Sequence, residues 1–246
     1  MSPLTRILSY SGIAHNTKSS SQKAPEGAIY DAKFTREQSE ALPQNEIQQH
    51  WELRAQRPGL QSVLSSRYSE LPNRIADIKL QREVLSFLKG YVEHKRVFEF
   101  GVGIGRMTRP LSKQAESVYG IDFSQGMIDR AHNALKNRPN VTIERAEITD
   151  VHAKPKSFDL VFDSIVLLHV LQPKKLQETI EKMKDLSDTI FIMEPIVSEA
   201  NKSGSKYSIS RPQEEYEKLF TPYTLIKTKQ VKYIHDDLSM MLFKKI

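Results

Sequence analysis

Glu99, Gly101, Gly103, Gly105 and Asp122 stand at spacings that suit a nucleotide-type ligand. The run from Val97 to Arg106 reads as a strand entering a glycine turn, and Val118 to Asp122 reads as the next strand, closed by an acid. Glycine lacks the Cβ that holds a ligand away from the backbone, and an acid at a strand end can accept hydrogen bonds from two ribose hydroxyls. A dinucleotide fingerprint needs a third glycine where Arg106 stands, which disfavours a pyrophosphate seated on the helix N-terminus. The bland alternative is an ordinary tight turn.

The elements that must position these residues alternate between helix and strand. Apolar strand-like runs fall at Val97–Phe100, Val118–Asp122, Val141–Ile143, Phe158–Asp163 and Thr189–Glu194. Between them, Ile128, Ala131 and Leu135 share a helical face, as do Leu176, Ile180, Met183 and Leu186 after Pro173. A helix is expected from Pro212 to Phe220, then strands at Leu225–Ile234 and Leu238–Phe243 joined by an Asp236-Asp237 turn. The pattern predicts an α/β fold: a doubly wound, mostly parallel seven-stranded sheet with helices on both faces and an antiparallel last strand. Ligands of such sheets bind at the carboxyl ends of the strands, which gathers Gly101 to Gly105, Asp122, Glu147 and Asp163 on one rim.

Residues 93–246 form this domain. Residues 1–45 are polar and broken by Pro25 and Pro43, and are expected to be a flexible or surface-packed tail. Residues 46–92 read as a helical cap with pieces at Ile47–Arg57, Leu60–Tyr68 and Ile75–Lys89, the last with a stripe of Ile78, Gln81, Leu85 and Leu88.

Composition narrows the chemistry. Without cysteine the chain has no disulfide, thiolate zinc site or cysteine nucleophile, and its 7 histidines show no metal-ligand spacing, so no metal is expected. No apolar run is long enough to cross a membrane. A cytoplasmic location is expected, with the mitochondrial matrix as the alternative because the first 24 residues lack acids. The net charge of +6 suits a mildly basic surface, so a nucleic-acid partner is possible but not favoured. Oligomeric state is not legible.

The Glu99-to-Gly105 turn with Asp122, and the runs Gly103 to Leu111 and Gly120 to Ile128, resemble motif I and its partner acid in the class I, Rossmann-like S-adenosylmethionine-dependent methyltransferases. The resemblance implies S-adenosylmethionine as cofactor. It implies that Glu99 orients the methionine ammonium, that the backbone of Gly101, Gly103 and Gly105 lies against the cofactor, and that Asp122 holds the ribose. Phe123 and Met127 would flank the adenine. Ala146 and Glu147 would meet its edge, although this pair departs from the family's usual Gly-Asp.

For the acceptor, the family places a loop after the fourth strand, which makes His169 the candidate proton acceptor, with Glu194 able to reach the same cleft. The protein N-terminal α-amine methyltransferases carry a similar histidine, a similar acid and a similar Gly-x-Gly-Ile-Gly-Arg run. Trp51 and Tyr68 in the cap, with Tyr207 and Arg211 in the late loop, are expected to shape an acceptor pocket suited to an anionic or aromatic molecule. The function implied is methyl transfer to oxygen or nitrogen of a small molecule or peptide. The alternatives are a protein or RNA methyltransferase, or a non-catalytic scaffold that binds a partner. The absence of an Asn-Pro-Pro-Tyr or Asp-Pro-Pro-Tyr run after Asp163 disfavours chemistry on a flipped base.

Overall fold

The structure is a computed structural model, and residues 34–197 and 203–246 are described; the expectations for residues 1–33 lie outside them. Seven strands form one sheet in the order β3-β2-β1-β4-β5-β9-β8. These are β1 (Arg96–Phe100), β2 (Ser117–Asp122), β3 (Val141–Arg145), β4 (Leu160–Ser164), β5 (Thr189–Pro195), β8 (Thr224–Tyr233) and β9 (Asp236–Lys244). β1 to β5 run parallel, and β9 is antiparallel to both β5 and β8.

Strand burial explains this order. In β1, Val97 to Phe100 are all buried, and β4 and β5 are buried through Leu160–Asp163 and Ile190–Glu194, as expected of central strands covered on both faces. β8 carries exposed Lys227, Lys229 and Lys232, which keep an edge strand from pairing further.

One face of the sheet is covered by α3 (Glu70–Phe87), whose Leu80, Val84 and Phe87 pack with Val97, Phe162 and Phe191. The other holds α6 (Pro173–Leu186) and α7 (Gln213–Leu219), whose Ile180, Met183 and Tyr216 pack with Phe98, Val161 and Ile192. After the single-turn α4 (Thr108–Leu111), α5 (Gln125–Leu135) starts where the Ser124 hydroxyl accepts the Met127 N–H, 3.2 Å away. Pro173 begins α6, where a missing N–H costs nothing. Among the described residues no helix is long and apolar enough to cross a membrane.

The cap differs from expectation. Only α1 (Arg36–Glu40) and α2 (Gln44–Ala55) lie apart from the sheet's two main cores; the short turn Gly59–Ser62 packs Leu60 against one of them, and α3 is a sheet-packing helix. Leu60–Tyr68 is this single turn followed by irregular chain rather than a helix. The buried stripe of α3 runs through Asn73, Asp77, Leu80 and Val84, while Ile78 is exposed. Partners decide this rotation: Asn73 donates to the Ser65 and Tyr68 carbonyls, and Asp77 pairs with Arg106. Helix α1 begins inside the expected tail, held by a Thr35–Gln38 capping box and by Arg36 pairing with Glu215 at 2.7 Å. The last turn is Ile234-His235, with Asp236 already in β9. A short hairpin of β6 (Ser203–Ser205) and β7 (Ser208–Ile209) was not legible in the sequence.

Candidate active site

The strand order reverses between β1 and β4, and a cleft opens there at the carboxyl ends of the strands. Glu99, Gly101, Gly103, Asp122, Phe123, Met127, Ala146 and Glu147 line it together with Trp51 and His169. Residues from segments far apart in the chain thus share one cavity.

The floor is the turn after β1. The Gly101 and Val102 N–H groups both donate to the Ile121 carbonyl, which locks the turn to β2. Gly103 has φ +53°, and a Cβ there would sit 2.7 Å from Val63 Cγ1. Gly105 serves differently: it does not line the cleft, and a Cβ there would strike Leu135 of α5. Its expected contact with the cofactor gives way to helix packing.

Two acids bracket this floor. Asp122 accepts from the Gly103 N–H at 2.9 Å and the Ser124 N–H at 3.0 Å; burial raises its pKa to about 6 against those two bonds. Glu99 is 2% exposed and its Oε2 has no hydrogen-bond partner. Burial pushes its carboxyl up to about 8, with the Thr108 hydroxyl and then the Arg106 charge pulling the other way. Arg106, which replaces the dinucleotide glycine, donates to Asp77 and to Ser164 Oγ, both at 2.8 Å. An acid inside the buried stripe of α3 was the signal for this pair, because a buried charge needs a partner.

Lid helix α2 is pinned over the cleft by contacts that no local pattern discloses. Glu52 accepts the Gln125 and Gly126 N–H groups at the start of α5. Arg130 donates to the carbonyls of Ala55, Arg57 and Gly59. Glu147 accepts from Gln44 and Gln48 of the lid, each at 3.3 Å, and pairs with Lys175 at 3.0 Å.

The opposite wall is aromatic. Trp51 meets His169 edge to face at 4.7 Å, and His50 stacks on Tyr207 at 3.8 Å. His169 Nδ1 lies 2.6 Å from the Tyr207 carbonyl, which can only accept, so Nδ1 carries the hydrogen and Nε2 is left as the acceptor. Burial lowers the His169 pKa to about 3, so the ring is neutral at physiological pH and a weak base.

Besides Gly105, five expected site residues fall outside the cleft. Asp163 and Glu194 are fully buried below it, where burial and the neighbouring Glu194 push Asp163 well above the carboxylate range. Glu194 instead accepts the Val166 N–H at 3.0 Å. Arg211 is fully buried and donates to the Leu167 and Val170 carbonyls, so it cannot meet an acceptor molecule. Tyr68 lies against His235 and Arg67 instead. Tyr207 does not line the cleft; its hydroxyl donates to Glu46 of the lid. Residues missed by the sequence reading include Ile165 and Val166 in the cleft wall, with Ile165 at φ 64°, a left-handed conformation costly for a β-branched side chain.

A parallel sheet with an antiparallel penultimate position in space, a glycine floor and two acids defines the class I, Rossmann-like S-adenosylmethionine-dependent methyltransferase domain. Residues 97–188 match the family model described as a methyltransferase domain. It is 29% identical over 178 residues to phosphoethanolamine N-methyltransferase 1 of Zea mays, covering 70% of this chain and 34% of that protein. The chain therefore spans about a third of the length of the curated relatives it matches first. In fold it is similar to the N-methyltransferase NodS of Bradyrhizobium japonicum, with a TM-score of 0.63 at 18% identity over 81% of this chain and 98% of that one. It is similar also to Haemonchus contortus phosphoethanolamine N-methyltransferase 1, with a TM-score of 0.65 at 18% identity over 82% and 49%.

Proposed function

We propose that the chain transfers a methyl group from S-adenosylmethionine to a nitrogen or oxygen of a small molecule or peptide. The observation that carries this is the placing of the buried Glu99 carboxyl, whose Oε2 is unpartnered, with Asp122 across a glycine floor, which fits a ligand bearing an ammonium at one end and a ribose at the other. When bound, the cofactor supplies a methyl group on a positively charged sulfur. Displacement there cancels that charge, so the chain's task is to align the acceptor and exclude water. Lid residue Trp51 covers the cleft, and neutral His169 offers Nε2 to orient an acceptor N–H or O–H. The names of the relatives favour nitrogen.

Phosphoethanolamine is the acceptor in the relatives' names, yet the cations lining this cleft among the described residues are already paired, Arg106 with Asp77 and Lys175 with Glu147. This favours an amine without a phosphate against the Trp51 and His169 rings. The test measures S-adenosylhomocysteine release with phosphoethanolamine, ethanolamine, phenethylamine, peptide and RNA supplied separately. Turnover should fall in His169→Gln while S-adenosylhomocysteine still binds; an unchanged rate removes His169 from the mechanism.

A further inference from the structure

The turn that carries His169 is too short to hold itself. It follows Ile165, whose φ is 64°, and consists of a single turn, Leu167–His169, with bonds from His169 N–H to Val166 and from Val170 N–H to Leu167. A helical turn of this length is not stable alone, and its buried backbone groups must find partners. Two buried charged side chains supply them. Glu194 of β5 accepts the Val166 N–H at 3.0 Å. Arg211, just before α7, donates to the Leu167 carbonyl at 3.0 Å and the Val170 carbonyl at 2.9 Å.

We propose that Glu194 and Arg211 are positioning residues: a clamp beneath the cleft that grips both ends of the Val166–Val170 turn and so fixes the direction and tautomer of the His169 ring. The proposal rests on the reading of His169 as the residue facing the acceptor. The planar guanidinium fork suits this task because its donors keep a fixed angle, which a lysine ammonium does not. Both side chains are fully buried, so neither touches solvent or an acceptor. Arg211 is held in turn by Glu215 at 3.3 Å, which also binds Arg36 of α1. The clamp therefore reaches the helix that precedes the lid. Above the turn, the Tyr207 carbonyl and the Trp51 ring complete the cage around the imidazole. A ring fixed by its backbone, one nitrogen and one edge keeps Nε2 aimed without reorganisation, which is how a supporting shell makes a site precise.

The experiment is a two-dimensional proton–nitrogen spectrum of the imidazole rings of the full chain, with the His169 signal assigned through His169→Gln. The wild type should show His169 as one neutral Nδ1–H tautomer. Arg211→Met and Glu194→Met should convert it to exchanging tautomers, whereas Glu194→Gln, which keeps a carbonyl oxygen for the Val166 N–H, should preserve the wild-type signal. S-adenosylhomocysteine affinity should stay within about twofold in all three, as expected of sites not in contact with the ligand. An unaltered His169 signal in folded Arg211→Met overturns the clamp. If that variant does not fold, Arg211→Lys is read with Glu194→Met, and wild-type signals in both overturn it equally. Failure of the wild type to bind S-adenosylhomocysteine would instead refute the proposed function, because the ring spectrum is recorded on the ligand-free protein as well.

Discussion

Replacing Glu99 by glutamine should abolish a proton release that accompanies S-adenosylmethionine binding at pH 7. The side chain is 2% exposed and burial lifts its pKa to about 8, so at pH 7 about nine in ten molecules carry the proton. An ammonium placed beside the unpartnered oxygen supplies the missing counter-charge and favours the carboxylate. Binding should therefore expel about 0.9 proton from Glu99, and Asp122, at about 6, should add roughly 0.1. Removing that proton at pH 7 costs about 1.4 kcal/mol, so affinity should climb roughly tenfold per pH unit from 6 to 7. The assay is calorimetry at pH 7 in buffers of different ionisation enthalpy, with 5′-methylthioadenosine as the control because it has no ammonium. Wild type should release about one proton with S-adenosylmethionine. Glu99→Gln, and wild type with the control, should release almost none. Equal release from wild type and Glu99→Gln would refute the reasoning.

Asp122→Ala should weaken S-adenosylhomocysteine binding by roughly 1.5–3 kcal/mol, the scale of hydrogen bonds to a charged group, and full retention of affinity would mean that the ribose lies elsewhere. The residual pH dependence in Glu99→Gln should show affinity falling as pH drops through about 6, since protonated Asp122 offers one acceptor fewer. Asp77→Ala leaves Arg106 buried with Ser164 alone, and should cost roughly 3–5 kcal/mol of stability in denaturant titration. A midpoint equal to that of the wild type would show that the pair is not buried in solution.

The cofactor side was legible because one βαβ unit holds Glu99, the glycines and Asp122 within a short stretch of chain, where spacing reports position. The apolar runs of β1, β4 and β5 were legible as strands in the same way, although their order in the sheet was not. The acceptor side was not, because its geometry is made by pairs distant in sequence. Arg211 reads as a cation facing the acceptor, yet it turns inward to carbonyls some 40 residues away. Glu194 ends a strand as a catalytic acid would, and only the Val166 N–H shows its use. The stripe of α3 was misplaced because apolar periodicity cannot know that Asn73 and Asp77 have buried partners. Glu52 gave no local signal at all, since its role as a cap belongs to α5, more than 70 residues on.

Calorimetric titration of the purified chain with S-adenosylmethionine, S-adenosylhomocysteine and NAD tests the cofactor assignment most directly. Binding of the first two and not of NAD is the predicted result. Binding of NAD alone, or of none of the three, would contradict the account and leave the glycine floor without its ligand.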